Sequence, residues 1–149
     1  MTYQTFICFD YGEKRIGMAV GQAVTRTATP LVIIPVHNGT PEWGRISEVL
    51  DQWRPDALVV GHPLHMDGTR QTLTSLAERF SRSLAGRYQL PVFLADERLS
   101  TTEAKNRTGS GGRDAVDAVA AQVILEGWLS DPSYTGVETA TRQAVTDRE

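Results

Sequence analysis

The sequence predicts a single α/β domain: a mixed five-stranded sheet with helices on both faces. Two observations lead there. Three apolar, β-prone runs come first and close together, and a regular alternation of strand and helix patterns follows. A meander feeding into strand–helix units builds a sheet that is antiparallel on one side and parallel on the other. The 149 residues suit one domain with a real core.

The elements follow in order. TFICFD (5–10) and RIGMAVG (15–21) flank GEK and read as a β-hairpin. PLVIIPV (30–36) is a third strand, placed at an edge by its two prolines. Thr40 and Pro41 look like the N-cap and first residue of a helix. Trp43, Ile46, Val49, Leu50 and Trp53 continue it at helical spacing, and Pro55 ends it. ALVVG (57–61) is a strand buried on both faces. After a loop over 62–70, a second helix carries Leu73, Leu76, Ala77, Phe80 and Leu84 on one face, with Arg79 and Arg82 solvated. PVFLA (91–95) is the fifth strand. Ser100 and Glu103 form a capping box that opens a short helix, which ends at TGSGG (108–112). A last helix runs from about Asp114 to Leu129 with Val116, Val119, Ala120, Val123 and Ile124 inward. Residues 1–130 make the domain, and 131–149 form a polar tail expected to be disordered.

Composition excludes some classes. No apolar run reaches the ~20 residues of a bilayer-spanning helix. The N-terminus has neither a secretory nor a transit pattern, and the single cysteine, Cys8, fits a core position in a protein of the reducing cytoplasm. Net charge is −3, which by itself argues against a polyanionic partner. The distribution argues the other way: residues 70–113 hold eight basic and four acidic side chains. Thirteen of the fifteen basic residues are Arg, whose planar fork suits phosphate.

Three acids stand in unusual places. Asp10 closes an apolar strand, where it is either a turn residue or a ligand. Asp96-Glu97-Arg98 follows directly on PVFLA. Strand alternation lets only one of the two acids face a given side, and Glu97, with the longer reach, is favoured over Asp96. Asp117 sits in an apolar helix, as either a capping partner of Asp114 or a functional carboxylate. Carboxylates from distant segments suit Mg²⁺ or Mn²⁺, and a pair of such ions can serve an in-line displacement at phosphorus without a nucleophilic side chain. If the fourth strand lies between the first and fifth, about 10 Å separates their backbones, and side chains and a metal must bridge the gap. GHPLHMDGT (61–69) holds a His-x-x-His pair, but no Cys or third His is near to complete a zinc site. Trp43 and Trp53 fit packing at helical spacing, and Trp128 fits either packing or base stacking.

Several segments in order carry a family resemblance: FDYGEKRIGMAVG (9–21), TATPL (27–31), PDALVVGHPLHMDGT (55–69), LADERLSTTEA (94–104) and DAVAAQVILEGWL (117–129). Together they resemble the YqgF family, also called RuvX, of Holliday junction resolvases and pre-16S rRNA nucleases. The resemblance implies an RNase H-like fold with strand order 3-2-1-4-5, a metal-dependent nuclease, cytoplasmic location and a role in maturing the 5′ end of 16S rRNA. It places the acidic site on Asp10, the Asp96–Glu97 pair and Asp117, with ribosomal precursor particles as the setting. Members carry a longer basic segment before the last helix. Here it is short, leaving the phosphate grip to Arg98, Lys105, Arg107 and Arg113, with help from the second helix. Other readings are a DNA junction resolvase, an actin-like nucleotide-binding protein using the Asp10–Gly17 hairpin, and a non-catalytic RNA-binding assembly factor.

Overall fold

The computed structural model describes residues 3–97 and 113–132, the side chains of 113–117 excepted. The expected helix from Ser100 and most of the tail lie outside them. β1 (Thr5–Tyr11) and β2 (Arg15–Gln22) form the hairpin, pairing antiparallel from Thr5–Gln22 to Tyr11–Ile16. Gly12 serves the turn, since a Cβ there would meet the Arg15 carbonyl oxygen at 2.7 Å. β3 (Thr27–His37) lies antiparallel to β2, with one extra residue, Leu31, between the Met18–Val32 and Ala19–Pro30 pairs. β3 begins three residues before the predicted strand, so Pro30 falls inside it, at this bulge. Proline fits there because an irregularity relieves the ladder of a hydrogen bond it cannot make.

Thr40 and Pro41 do not start a helix. They form a two-residue strand, β4 (Thr40–Pro41), pairing with His37 and Val36. The cause is Asn38-Gly39, both with positive φ (51° and 80°), which turns the chain back as a two-residue hairpin loop. α1 (Trp43–Trp53) begins only after Glu42 and ends at Arg54, whose left-handed backbone (φ 46°) returns an N–H to the Leu50 carbonyl. β5 (Ala57–His62), α2 (Thr72–Tyr88), β6 (Val92–Asp96) and α3 (Arg113–Ser130) complete the chain.

The sheet order is β4-β3-β2-β1-β5-β6, with β5 parallel to both β1 and β6. This is the expected 3-2-1-4-5 arrangement with β4 added outside β3, so the sheet has six strands. Side-chain alternation along β1 divides the core. Ile7 and Phe9 face α1 and α2, with Ile46, Leu50, Phe80 and Leu84. Phe6 and Cys8 face α3, with Ile124, Leu125 and Trp128.

Two helix faces differ from expectation. On α2, Leu73 and Leu76 are half-buried, whereas Thr74 and Ser81 are fully buried. Both are satisfied: the Thr74 hydroxyl donates to the Pro63 carbonyl, and Ser81 Oγ donates to the Ala77 carbonyl at 2.9 Å. On α3 the buried stripe is Ala121, Val123, Ile124, Leu125, Trp128 and Leu129, and Val119 and Ala120 are half-buried. The stripe is set by close approach to the sheet at Gly21, where a Cβ would meet Leu125 at 2.7 Å and Leu129 at 3.1 Å. Polar bonds fix it further: Gln122 Nε2 donates to the Ala28 carbonyl (3.0 Å), and Ala28 N–H donates to Glu126 Oε2 (3.1 Å). No described helix is long and apolar enough to cross a membrane.

Candidate metal centre

Asp10 follows Phe6 and Cys8 on the α3 side of β1, at the strand's C-terminal end. Its neighbours across the sheet are small. Gly17 is its partner on β2, and Gly61 on β5 lies one residue beyond the Phe9–Val60 pair. Gly61 pairs in turn with Ala95 on β6. Ala95 faces the α3 side, so Glu97, two residues on, returns to that side too.

Glu97 then reaches back over Gly61. A Cβ on Gly61 would lie 2.8 Å from Glu97 Cδ, 2.9 Å from Cγ and 3.1 Å from Oε2. The bare glycine backbone is the floor along which this side chain runs. At the far end the Glu97 carboxyl hydrogen-bonds to that of Asp10. The two acids therefore touch across β5, where the strand spacing alone had suggested a gap needing a metal to bridge it. Asp96 is exposed.

Two carboxyl groups share a hydrogen bond only when one holds a proton. Burial pushes the Glu97 carboxyl above the usual carboxylate range, and the Asp96 charge adds to this. The bond to Asp10 and the nearby His62 act in the opposite direction. Directly beneath, burial and then the charges of Asp10 and Glu97 raise the Cys8 thiol well above its ordinary value, which keeps it a neutral core residue.

His62 is held on the other side of β5. Its Nε2 lies 2.8 Å from Glu78 Oε2, and Arg70 donates to both Glu78 oxygens, at 2.7 and 3.0 Å. These partners, Arg70 first, hold Glu78 down at about 2. Of the His-x-x-His pair, His62 is engaged with α2. Among the described residues no group of three or more His, Cys, Asp or Glu gathers around a common point.

Asp117 lies in α3, one turn before Ala121 and in line with Ala121, Ile124 and Trp128. α3 runs opposite to β1, since Trp128 packs on Phe6 at the start of that strand. The Asp117 backbone position therefore falls toward the Asp10 end. Arg113 opens the same helix. Arg98, Lys105 and Arg107 lie outside the described residues.

Sequence reasoning missed the role of Gly61 and the pairing of His62 with Glu78. Gly61 had a signal, because a glycine ending a fully buried strand marks close approach of another group. His62 had none, since its partner Glu78 lies sixteen residues on, in α2.

A mixed sheet of this order, with carboxylates at the ends of its first and last long strands, defines the RNase H-like class. The family model described as "RuvX: Holliday junction resolvase" matches residues 4–131, and the chain belongs to that family. A relative from Azotobacter vinelandii, named "Putative pre-16S rRNA nuclease", is 51% identical over 129 residues, covering 83% of this chain and 91% of its own. One of the same name from Yersinia enterocolitica is 46% identical over 137 residues, covering 88% and 98%. Among solved structures, T. thermophilus RuvC in complex with Holliday junction substrate aligns with a TM-score of 0.51 at 16% identity, covering 87% of this chain and 96% of that one, a likeness of fold.

Proposed function

We propose that this chain is a metal-dependent nuclease that hydrolyses phosphodiester bonds in processing the 5′ end of pre-16S rRNA, in the cytoplasm and on ribosomal precursor particles. The observation that carries the reading is the Asp10–Glu97 pair, two half-buried carboxyls in contact at the end of the sheet. The donor set fits a hard divalent cation: it offers only oxygen, and it is a like-charge pair that must otherwise retain a proton. Asp10 and Glu97 are the ligands, Asp117 joins them from α3, and exposed Asp96 adds negative potential nearby. Bound Mg²⁺ or Mn²⁺ supplies charge stabilisation and activation of water for an in-line attack on phosphorus. The protein's part is to hold two carboxylates at a fixed separation. Gly61 leaves the path for one of them, and Gly17 keeps the space beside the other clear of a side chain. Arg98, Lys105, Arg107 and Arg113, close in sequence to Glu97 and Asp117, grip the substrate's phosphates. The names of the relatives support RNA as substrate.

The test is cleavage of a pre-16S rRNA fragment with Mg²⁺ or Mn²⁺, wild type against Asp10→Asn. Loss of cleavage in a folded variant is expected, and equal rates would sink the reading. A second reading, resolution of DNA junctions, is favoured by the description of the family. A four-way junction in the same assay separates the two, because a resolvase cuts it symmetrically and in preference to the RNA.

A further inference from the structure

The reverse face of the sheet carries an open groove of about 760 Å³ that the metal centre does not use. It lies between the β1–β2 hairpin, the Asn38-Gly39 turn, Trp43 at the start of α1, and α2. This volume is within the usual range for a small-molecule or nucleotide site. Tyr11 lines it, and Tyr11 follows Asp10 on β1. Alternation points the two side chains to opposite faces, so the groove and the carboxylates lie back to back at the same end of the sheet.

The lining combines a π-surface with unneutralised positive charge. Trp43 stacks on Phe80 with ring centroids 5.6 Å apart, and the Arg87 guanidinium lies over Trp43 at 4.0 Å from the ring centroid. Neither Arg79 nor Arg87 forms an ion pair with any described carboxylate, in contrast to Arg70, which is bound to Glu78. Among the described lining residues Glu13 is the single acid, so their net charge is +1 in a chain whose total is −3. Ser83, Asn38 and Tyr11 add neutral hydrogen-bonding groups. Arg79 and Arg87 are eight residues apart on α2, about 12 Å along the helix axis. Two guanidinium groups entering from such points suit two neighbouring phosphates better than one.

We infer that this groove binds one nucleotide of single-stranded RNA, its base against the Arg87–Trp43 stack and its flanking phosphates on Arg79 and Arg87. Base stacking on aromatic and guanidinium planes is the common mode for unpaired nucleotides. The inference rests on the nucleic-acid reading above, and it assigns the single-stranded flank of the substrate to the opposite side of the sheet from the cleaved bond. The strand passes between the two sites around the end of the β1–β2 hairpin. A free nucleotide offers the same chemistry, and the test distinguishes it.

The measurement is binding without cleavage. Asp10→Asn protein is titrated without divalent metal into a labelled single-stranded RNA of about ten nucleotides and, separately, with AMP. The same is done with Arg79→Gln/Arg87→Gln added. Both residues are exposed, so the variant should fold, and circular dichroism checks this. The expected result is at least tenfold weaker RNA binding and a salt dependence flatter by about 1.4 in log–log slope, for two phosphates released at ~0.7 each. AMP that binds the parent and is not displaced by the RNA would assign the groove to free nucleotides and overturn the RNA assignment. Unchanged affinity and slope in the double variant would overturn the site altogether. Neither outcome touches the cleavage test with Asp10→Asn, so the groove and the nuclease reading fail or stand separately.

Discussion

Glu97 occupies the space that a side chain on Gly61 would fill. The carboxyl group of one strand reaches that of another only because the strand between them is bare at one position. An added methyl group would meet Cγ, Cδ and Oε2 of Glu97, the far end of a flexible side chain, rather than backbone.

Gly61→Ala should therefore disturb the site much more than the fold. Glu97 swings aside at little energetic cost, and the ligand geometry is lost. A misplacement of about 1 Å can cost about 10²-fold in rate. The expected outcome is a melting temperature within a few degrees of wild type and metal-dependent cleavage down by about that factor. Gly21→Ala is the contrasting variant. Its new methyl group meets Leu125, Leu129 and the Thr27 carbonyl oxygen, so it should destabilise the fold by about 1–3 kcal/mol, as overpacked cores do. Thermal melts of both beside cleavage rates check the contrast.

If Glu97 holds a metal as proposed, its raised carboxyl should make stability depend on pH and metal together. In the metal-free protein the folded state holds this proton more tightly than the unfolded chain, whose carboxyl titrates near 4.5. Its contribution is fully present below that value and is lost as pH rises through the folded value. Glu97→Gln should remove the loss and raise the metal-free melting temperature at neutral pH. With Mn²⁺ the order should reverse, since wild type gains up to about 2.7 kcal/mol at a hundredfold excess over Kd and the variant gains little. A Mn²⁺ response equal in both proteins would remove Glu97 from the ligand set.

Glu78 works in the opposite direction. Arg70 and His62 depress it to about 2 from an ordinary 4.5, so its stabilisation is present above 4.5 and lost as pH falls toward 2. Glu78→Gln should lower the melting temperature at neutral pH, and the gap from wild type should close between pH 4.5 and 2. Melts across that range, at low salt because Arg70 is largely exposed, would show it. A gap constant with pH would mean that the network contributes packing alone.

Trp128 joins α3 to the sheet. Its ring meets Phe6 edge-on at 5.1 Å and stacks on Phe93 at 5.6 Å. Trp128→Ala should cost about 3–5 kcal/mol. Chemical denaturation measures this directly, and a loss below 1 kcal/mol would contradict the packing described.

The strand order was legible because hydrophobic period and length distinguish strands from helices in this chain: TFICFD and ALVVG cannot be amphipathic helices, and the run from Trp43 to Trp53 cannot be a strand. Asp10 and Glu97 were legible for a similar reason, as charges ending apolar strands. What failed was local competition. Thr40-Pro41 is a good helix start, but the preceding Asn38-Gly39 is a stronger signal for a hairpin, and the hairpin won. The inward face of α3 was read in part, with Val123 and Ile124 buried as expected but Val119 and Ala120 only half-buried, because that helix is apolar nearly all round and periodicity hardly distinguishes one side. Gly21 and the Ala28 backbone select the face, and both are distant in sequence. The reverse-face groove was invisible for the same reason, as its walls come from four segments.

The bonds of Gln122 and Glu126 to Ala28, with Leu125 and Leu129 seated on Gly21, grip the later half of α3. Asp117 stands nine residues before Glu126, roughly 13 Å farther along the helix. The later half of the helix is thus anchored against the second and third strands, and the Asp117 backbone lies toward the opposite end. If Asp117 supplies a third carboxylate as proposed, a small rotation at that anchor becomes a larger displacement at Asp117. Substitutions around Ala28, remote from any phosphate, should therefore detune the metal site without touching a ligand.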